Sequence, residues 1–191
     1  FPGMEQPEPI AHNLSEIMTR VPEAGATVGI ALDGDADRVG IIDERGHFIT
    51  TLNVFSLLAL YLLENKGQKG TLVKGVTSSK MLNKIGDMFG VDVHEMRVGF
   101  KNIGPKMTEE DALIAGEESG GFAFRGHIPE RDGILSGLYV LEYLATTGQT
   151  PSQLVDHLFD RVGAHYYHRR DVEFRPEDRE GIQEKVNNSA L

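Results

Sequence analysis

The chain of 191 residues carries a formal net charge of −10, with 19 Lys and Arg against 29 Asp and Glu. Nucleic-acid binding needs a basic face that displaces counterions, so this charge argues against a nucleic-acid partner. The sequence has no Cys, which excludes disulfide bonds, thiolate metal sites and a cysteine nucleophile. No apolar run approaches the roughly 18–20 residues of a membrane span, so we expect no membrane partner. The absence of Cys leaves the redox compartment open, and a reducing cytoplasm is the default expectation.

The hydrophobic pattern changes repeatedly between short β-branched runs and longer runs of helical period, which predicts an α/β fold. Residues 1–48 offer a helix and a β-hairpin, which are too little for an independent core, so we expect the end of a preceding domain there. Residues 49–164 are predicted to form one α/β/α layered domain with a mixed sheet, and 165–191 a connector. The predicted helices lie at 12–20, 53–65, 79–89, 102–110, 133–147, 151–161 and 176–186, and the predicted strands at 27–32, 39–43, 48–50, 71–76, 91–96, 113–115 and 166–174.

The sequence Asp-Gly-Asp-Ala-Asp-Arg lies between the first two predicted strands and ends in Arg38. Its carboxylates, at Asp33, Asp35 and Asp37, are separated by small residues and can converge on one hard cation. Mg²⁺ prefers about six oxygen ligands at short distance. Without a cation, three anions this close would raise one another's pKa. The loop therefore predicts a Mg²⁺ site.

Two other motifs share parts of this loop. An EF-hand would place ligands at Asp33, Asp35, Asp37 and Glu44, but Arg38 stands where that motif needs Gly, and strands flank the loop. A phosphatase of the haloacid-dehalogenase type would use Asp33 as its nucleophile. The chain returns at once as a strand, which disfavours this second alternative but leaves it open.

A second polar loop, Gly116-Glu117-Glu118-Ser119-Gly120-Gly121, follows a short predicted strand. The glycines allow the backbone to approach a ligand closely. Glu117 and Ser119 can bind adjacent hydroxyl groups of a sugar. Ligands usually bind at the carboxyl ends of strands in α/β sheets, so we predict a sugar-binding loop here.

Three basic residues are further candidates. Lys101 and Arg131 each lie before or near a predicted helix start and could hold a phosphate group. Lys74 ends an apolar strand, where a partly buried Lys can act as an acid or base or can lay its stem along the apolar surface with its charge in water. Asp132 is predicted to cap the helix that follows it.

Together these motifs resemble the α-D-phosphohexomutases, a superfamily that includes phosphoglucomutase and phosphomannomutase. The resemblance depends on the loop that ends in Arg38 and on the Gly-Glu-x-Ser-Gly sequence at 116–120, with support from Val-Gly-Phe-Lys at 98–101 and Arg-Asp-Gly at 131–133. It implies four domains, of which this chain would hold the end of the second, all of the third and a connector toward the fourth. We therefore expect a piece of a longer protein.

The resemblance also implies roles for individual residues. The three aspartates match the family's Mg²⁺ ligands, and Arg38 matches an arginine beside a phosphoserine. Glu117 and Ser119 match the pair that grips sugar hydroxyls; Lys101 and Arg131 match substrate-contacting cations, and Lys74 matches a lysine at the active-site floor. Phe100 and Gly121 stand where certain mannose-active members carry His, which favours the glucose-type enzymes.

The resemblance implies a mutase that moves phosphate between the 1- and 6-positions of glucose or mannose through a bisphosphate intermediate. The family's phosphoserine lies in a segment like Ser-His-Asn-Pro, which this sequence lacks, and the phosphate-binding loop of the fourth domain is also missing. The implied partners are thus a hexose phosphate and domains 1 and 4 of the same protein. We expect the 191 residues alone to be inactive. A non-catalytic module that binds metal or sugar phosphate is the remaining alternative.

Overall fold

The computed structural model describes residues 6–168 and 173–188, in which two sheets stand one after the other along the chain. The first is an antiparallel sheet of three strands in the order β1-β2-β3. The second is a mixed sheet in the order β5-β4-β6-β7, in which β4 pairs in parallel with β5 and β6, and β7 runs antiparallel to β6. The strands are β1 Gly29–Leu32, β2 Val39–Ile42, β3 Phe48–Ile49, β4 Leu72–Gly75, β5 Val93–Met96, β6 Ile114–Gly116 and β7 Phe122–Phe124.

Helices cover both faces of the mixed sheet. On one face, Val73 and Ala115 of the sheet pack with Phe100, Ile103 and Met107 of α4. On the other face lies the main core, built from α2, α3, α5 and α6. The predicted fold class, an α/β/α layered domain with a mixed sheet after a helix and hairpin, is confirmed. The helices are α1 Ser15–Glu23, α2 Thr51–Leu60, α3 Met81–Phe89, α4 Phe100–Glu109, α5 Gly133–Thr147, α6 Pro151–Val162 and α7 Arg179–Asn188.

Helix ends follow from local side-chain chemistry. Asp132 accepts a hydrogen bond from Leu135 N–H at 2.8 Å, which confirms it as the cap of α5. Helix α6 begins with a capping box between Thr150 and Gln153, with Pro151 in its first turn. Gly90 ends α3 in the left-handed conformation, at φ +64°.

Several predicted elements differ from the structure. Strand β7 was not predicted, because its three residues are all buried and show no alternation of polar and apolar side chains. Helix α2 starts two residues earlier than predicted because Thr50 caps it, and it ends in a π-helix, Tyr61–Asn65. The first predicted helix is divided into a 3-10 turn, Ala11–Asn13, and α1.

The predicted strand at 166–174 is wrong for the residues that can be described. Residues 166–168 and 173–174 do not form a strand, and residues 169–172 lie outside the described part of the chain. Beyond them a 3-10 turn, Pro176–Asp178, leads into the exposed helix α7. Within the described residues, no helix combines the length and apolarity that a bilayer crossing requires.

Candidate functional site

The loop between β1 and β2 brings three carboxylates together. One oxygen each of Asp33, Asp35 and Asp37 lies within 4.8 Å of the others. Asp33 is buried, Asp37 is half-buried and Asp35 is exposed, so the cluster is open to solvent on one side. Oxygen atoms this close suit a hard divalent cation, whose charge would offset the repulsion among three anions. These residues could therefore hold Mg²⁺.

Arg38 closes the acidic loop onto Asp33. Its Nε donates to Asp33 Oδ2 at 2.6 Å and its backbone N–H donates to Asp33 Oδ1 at 3.0 Å. A second nitrogen of the same guanidinium, Nη1, donates to Glu8 Oε1 at 2.9 Å. Burial alone would raise the pKa of Asp33, but the hydrogen bonds from Arg38 outweigh it and hold that pKa below its usual range. Asp33 is therefore an ionised carboxylate with a donor on each oxygen.

Arg131 reaches the acidic loop from the mixed-sheet domain. Its Nη2 lies 2.5 Å from Asp37 Oδ2, and its Nη1 lies 3.2 Å from Glu117 Oε2. Burial and, to a smaller extent, the neighbouring carboxylates of Asp33 and Asp35 together raise the pKa of Asp37 to about 6, although the charge of Arg131 opposes that rise. One guanidinium thus bridges the predicted metal ligands and the predicted sugar ligands.

The loop at 116–121 is anchored at Gly120 and Glu117. Gly120 O accepts from Val39 N–H at 3.1 Å, and a Cβ on Gly120, which has φ +96°, would lie 2.8 Å from Val39 O. Only glycine allows the loop to lie this close to β2. The Glu117 side chain is buried and accepts from Gly99 N–H at 3.1 Å. Burial raises the pKa of Glu117, although the charge of Arg131 opposes that rise.

Ser119 shares a cleft with the acidic loop. Its Oγ is buried and, within the part of the chain that the structure describes, has no hydrogen-bond partner. The cleft has a volume of about 340 Å³ and is also lined by Glu8, Arg38, Thr51 and Glu118. An unpaired hydroxyl beside a guanidinium is a suitable contact for a sugar hydroxyl or a phosphate oxygen.

The start of α5 packs directly against the backbone of the acidic loop. Gly133 N–H donates to Ala36 O at 2.9 Å. A Cβ on Gly133 would lie 2.6 Å from Arg38 O. Ala36 itself has φ +61°, a conformation that is uncommon outside glycine. This direct backbone contact fixes the acidic loop relative to the sugar-binding loop.

The other predicted cations lie nearby but have different surroundings. Lys101 is exposed and lies with Arg131 along an open groove of about 610 Å³. Lys74 is fully buried, and its Nζ donates to Glu95 Oε2 at 2.7 Å. That hydrogen bond is the main reason why the pKa of Glu95 is lowered. Lys74 is thus held by a carboxylate on the neighbouring strand, whereas Arg131 contacts both loops.

Phe100 and Gly121, the two positions that differ from the mannose-active pattern, both border Arg131. Arg131 Cζ lies 5.6 Å from the centre of the Phe100 ring. A Cβ on Gly121 would lie 2.3 Å from Arg131 Cδ. The missing side chain at 121 therefore leaves the space through which Arg131 passes.

Sequence reasoning missed two residues that shape the site. Glu8 pairs with Arg38 but lies 30 positions away, and no pattern marks it. Gly99 supplies a backbone donor to Glu117; its sequence signal was the Val-Gly-Phe-Lys segment, which had drawn attention to Lys101 instead. The EF-hand alternative is wrong, because Glu44 hydrogen-bonds to Thr150 and Ser152 instead of joining the aspartates.

Family models and relatives of the phosphohexomutases match this chain. The family model described as phosphoglucomutase/phosphomannomutase, alpha/beta/alpha domain III, matches residues 53–162, and the corresponding domain II model matches residues 1–46. A phosphoglucomutase/phosphomannomutase from Thermococcus kodakarensis is 35% identical over 186 residues, or 97% of this chain and 39% of that protein. A phosphoglucosamine mutase from Moorella thermoacetica is 34% identical over 153 residues, or 80% of this chain and 33% of that protein.

Solved structures agree with this result. A Thermus thermophilus protein described as a phosphomannomutase is 38% identical, with a TM-score of 0.77 over 82% of this chain and 36% of that one. A phosphoglucomutase/phosphomannomutase family protein from Burkholderia thailandensis is 26% identical, with a TM-score of 0.73 over 82% of this chain and 34% of that one. The chain therefore spans well under half the length of the relatives it matches. It belongs to the phosphoglucomutase/phosphomannomutase family and matches the domain II and domain III models of that family.

Proposed function

We propose that this chain is the metal-binding and sugar-binding part of a Mg²⁺-dependent phosphohexomutase. The intact enzyme would be an intramolecular phosphotransferase that interconverts the 1- and 6-phosphates of glucose or mannose. The names of relatives add glucosamine phosphates to the candidate substrates. The observation that carries the proposal is the bridge formed by Arg131 between the three-carboxylate loop and the loop that holds Glu117.

Each loop has its own part in this reaction. Mg²⁺ held by Asp33, Asp35 and Asp37 would supply positive charge where a phosphoryl group transfers, which is the main source of rate in such reactions. Arg38 adds a fixed guanidinium at the same place, because Asp33 holds its Nε and Glu8 holds its Nη1.

The sugar is proposed to bind at the second loop. Glu117 is an acceptor for a sugar hydroxyl, and Ser119 Oγ has its hydrogen-bonding capacity free among the described residues. Lys101 and Arg131 are proposed to hold the phosphate group, since both border the same open groove. Lys74 stays a predicted catalytic residue, as a buried ammonium held by Glu95.

The nucleophile of the proposed reaction lies in another part of the enzyme. A phosphoserine of domain 1 would give its phosphoryl group to the sugar phosphate, and the bisphosphate would reorient and return the other phosphate. Domain 4 would supply a phosphate-binding loop. This sequence has no Ser-His-Asn-Pro segment, so the chain by itself is expected to show no mutase turnover.

The rival phosphatase would need Asp33 as its nucleophile. Both Asp33 oxygens accept hydrogen bonds from Arg38, which lowers their availability for attack. Hydrolysis of p-nitrophenyl phosphate by the wild-type chain and by Asp33→Asn distinguishes the two functions. We expect no turnover above buffer for either protein, and hydrolysis that depends on Asp33 would contradict the proposal.

Ligand binding tests the proposal directly. Calorimetry with Mg²⁺ and then with glucose 6-phosphate should show one weak site for each on the wild-type chain. Glu117→Gln and Ser119→Ala should each weaken sugar-phosphate binding about tenfold, which is the order expected for one lost hydrogen bond. The exposed Glu173→Gln is the matched control and should change nothing. Equal binding by all four proteins, or a failure of the wild type to bind Mg²⁺, would reject the proposed function.

A further inference from the structure

We propose that Arg131 couples the two halves of the site, so that a divalent cation at the acidic loop and a sugar phosphate at the second loop bind cooperatively. This inference rests on the proposed function above. It concerns how the two ligands affect each other, which neither loop alone determines.

The coupling begins with a shared guanidinium. Arg131 contacts Asp37 Oδ2 at 2.5 Å and Glu117 Oε2 at 3.2 Å. The three side chains are only 28%, 19% and 8% exposed, respectively, so these charge-assisted contacts are shielded from water. The ring of Phe100 lies against the Arg131 guanidinium, and the absence of a side chain at Gly121 leaves room for the Arg131 stem in this position.

The cation and Arg131 compete for the same carboxylate. Asp37 is one of three residues whose oxygens converge in the acidic loop. Its Oδ2 is occupied by Arg131, so a cation can use that oxygen only when the guanidinium shares or leaves it. Cation binding therefore includes the free-energy cost of breaking this pair.

The phosphate group of the sugar phosphate would compete for the same Arg131 guanidinium. Arg131 Nε is buried without a hydrogen-bond partner among the described residues, and Glu130 Oε1 lies 3.7 Å from it. A phosphate group in the groove beside Lys101 would attract Arg131 away from Asp37, because guanidinium–phosphate pairs are strong and bidentate. Either ligand thus breaks the pair, and the second ligand binds without that cost. The coupling is reciprocal.

Calorimetric Mg²⁺ titrations of three variants test the inference. Arg131→Met should bind Mg²⁺ at least about fivefold more tightly than the wild type, because no guanidinium competes for Asp37. Gly121→Ala keeps the charge but displaces the side chain of Arg131, so it should change affinity in the same direction by a smaller factor. Arg20→Met removes one positive charge at a side chain that is 72% exposed on α1, and it should leave the affinity unchanged.

A second titration adds glucose 6-phosphate, with correction for the Mg²⁺ that the sugar phosphate itself complexes. The affinity of the wild type for Mg²⁺ should rise about fivefold, and that of Arg131→Met should not rise. NMR of the Arg131 side-chain Nε–H in the wild-type chain needs no variant and should shift when Mg²⁺ is added.

The outcomes are distinguishable. A wild type that binds Mg²⁺ and glucose 6-phosphate but shows no rise in Mg²⁺ affinity when both are present would overturn the coupling and leave the proposed function standing. An unshifted Arg131 signal, or no gain in a folded Arg131→Met or Gly121→Ala, would do the same. A wild type that binds no Mg²⁺ would overturn both. Circular dichroism establishes which variants are folded, and the NMR measurement decides the question if neither variant folds.

Discussion

Glu44 joins the turn after β2 to the start of α6. Its Oε1 accepts from Ser152 Oγ at 2.5 Å and from Thr150 Oγ1 at 3.1 Å, and its Oε2 accepts from Ser152 N–H at 3.3 Å. Glu44→Gln should lower the free energy of unfolding by about 1–2 kcal/mol, because the hydrogen bonds to a charged acceptor weaken. Urea unfolding at pH 7 measures the loss. The exposed Glu173→Gln serves as the control and should be neutral.

The contribution of Glu44 also depends on pH. Partial burial raises its pKa, but the hydrogen bonds from Ser152 and Thr150 outweigh it and lower the pKa overall. The folded state therefore releases this proton more readily than the unfolded chain, in which the pKa of a glutamate is about 4.3. The stabilisation is fully present above that pH and is lost as the pH falls through the lower pKa of the folded state. The difference between wild type and Glu44→Gln should shrink below about pH 4; a growing difference would contradict the assignment.

Lys74 is a buried charge whose partner is partly exposed. Glu95 is 35% exposed and its Oε2 also lies 3.3 Å from Lys80 Nζ, so its charge keeps water and a second cation as partners when Lys74 is removed. Lys74→Met fills the same space without a charge and should change the free energy of unfolding by less than about 1 kcal/mol. Urea unfolding beside the exposed Lys80→Met checks this. A loss of about 3 kcal/mol or more would show that Lys74 is needed for the fold itself.

At the scale of elements, the contact between α5 and the acidic loop sets the geometry of the site. Gly133→Ala would place a Cβ 2.6 Å from Arg38 O and 2.8 Å from Ala36 O. Backbone cannot yield easily here, so we expect a loss of about 1–3 kcal/mol in unfolding free energy together with weaker Mg²⁺ binding.

The matched control is Gly181→Ala in α7, where an added Cβ meets nothing within 4 Å. This variant should be neutral or more stable by up to about 1 kcal/mol. If Gly133→Ala behaved in the same way, the start of α5 would not position the acidic loop.

Sequence patterns predicted the elements that bury one continuous face. Helices α3, α5 and α6 were found within two residues because glycine, proline and capping residues mark their ends. Strand β7 was missed, since three buried residues carry no period. The acidic loop and the sugar-binding loop were found because each places its ligand-type residues close together in the sequence.

The bridge between those loops could not be predicted from spacing. Arg131 appeared in the sequence as a candidate phosphate ligand, whereas in the structure it pairs with Asp37 and Glu117. Its path depends on the absent side chain of Gly121 and on Phe100, which are distant from Asp37 in sequence. Only the packing of helices α2 and α5 against the first sheet brings these groups together.

At the scale of the whole molecule, the acidic loop and the sugar-binding loop belong to different sheets. They are held near each other by two backbone hydrogen bonds, from Val39 N–H of β2 to Gly120 O and from Gly133 N–H of α5 to Ala36 O. A ligand that binds only this arrangement must stabilise it by mass action. Mg²⁺ at ten times its dissociation constant should raise the free energy of unfolding by about 1.4 kcal/mol. Urea unfolding with and without Mg²⁺ measures the gain, and EDTA should reverse it. Asp35→Asn should abolish the gain, and an equal gain in that variant would place the ion elsewhere.

Paramagnetic broadening by Mn²⁺ tests the central claim most directly, because it reports which parts of the chain surround the ion. Mn²⁺ at substoichiometric concentration should broaden the backbone NMR signals of the acidic loop, of Gly120 and Gly121, and of Arg131, and should leave the signals of α7 sharp. Broadening of the acidic loop without the signals at 120, 121 and 131, or uniform broadening that Asp35→Asn does not remove, would contradict a shared metal and sugar site.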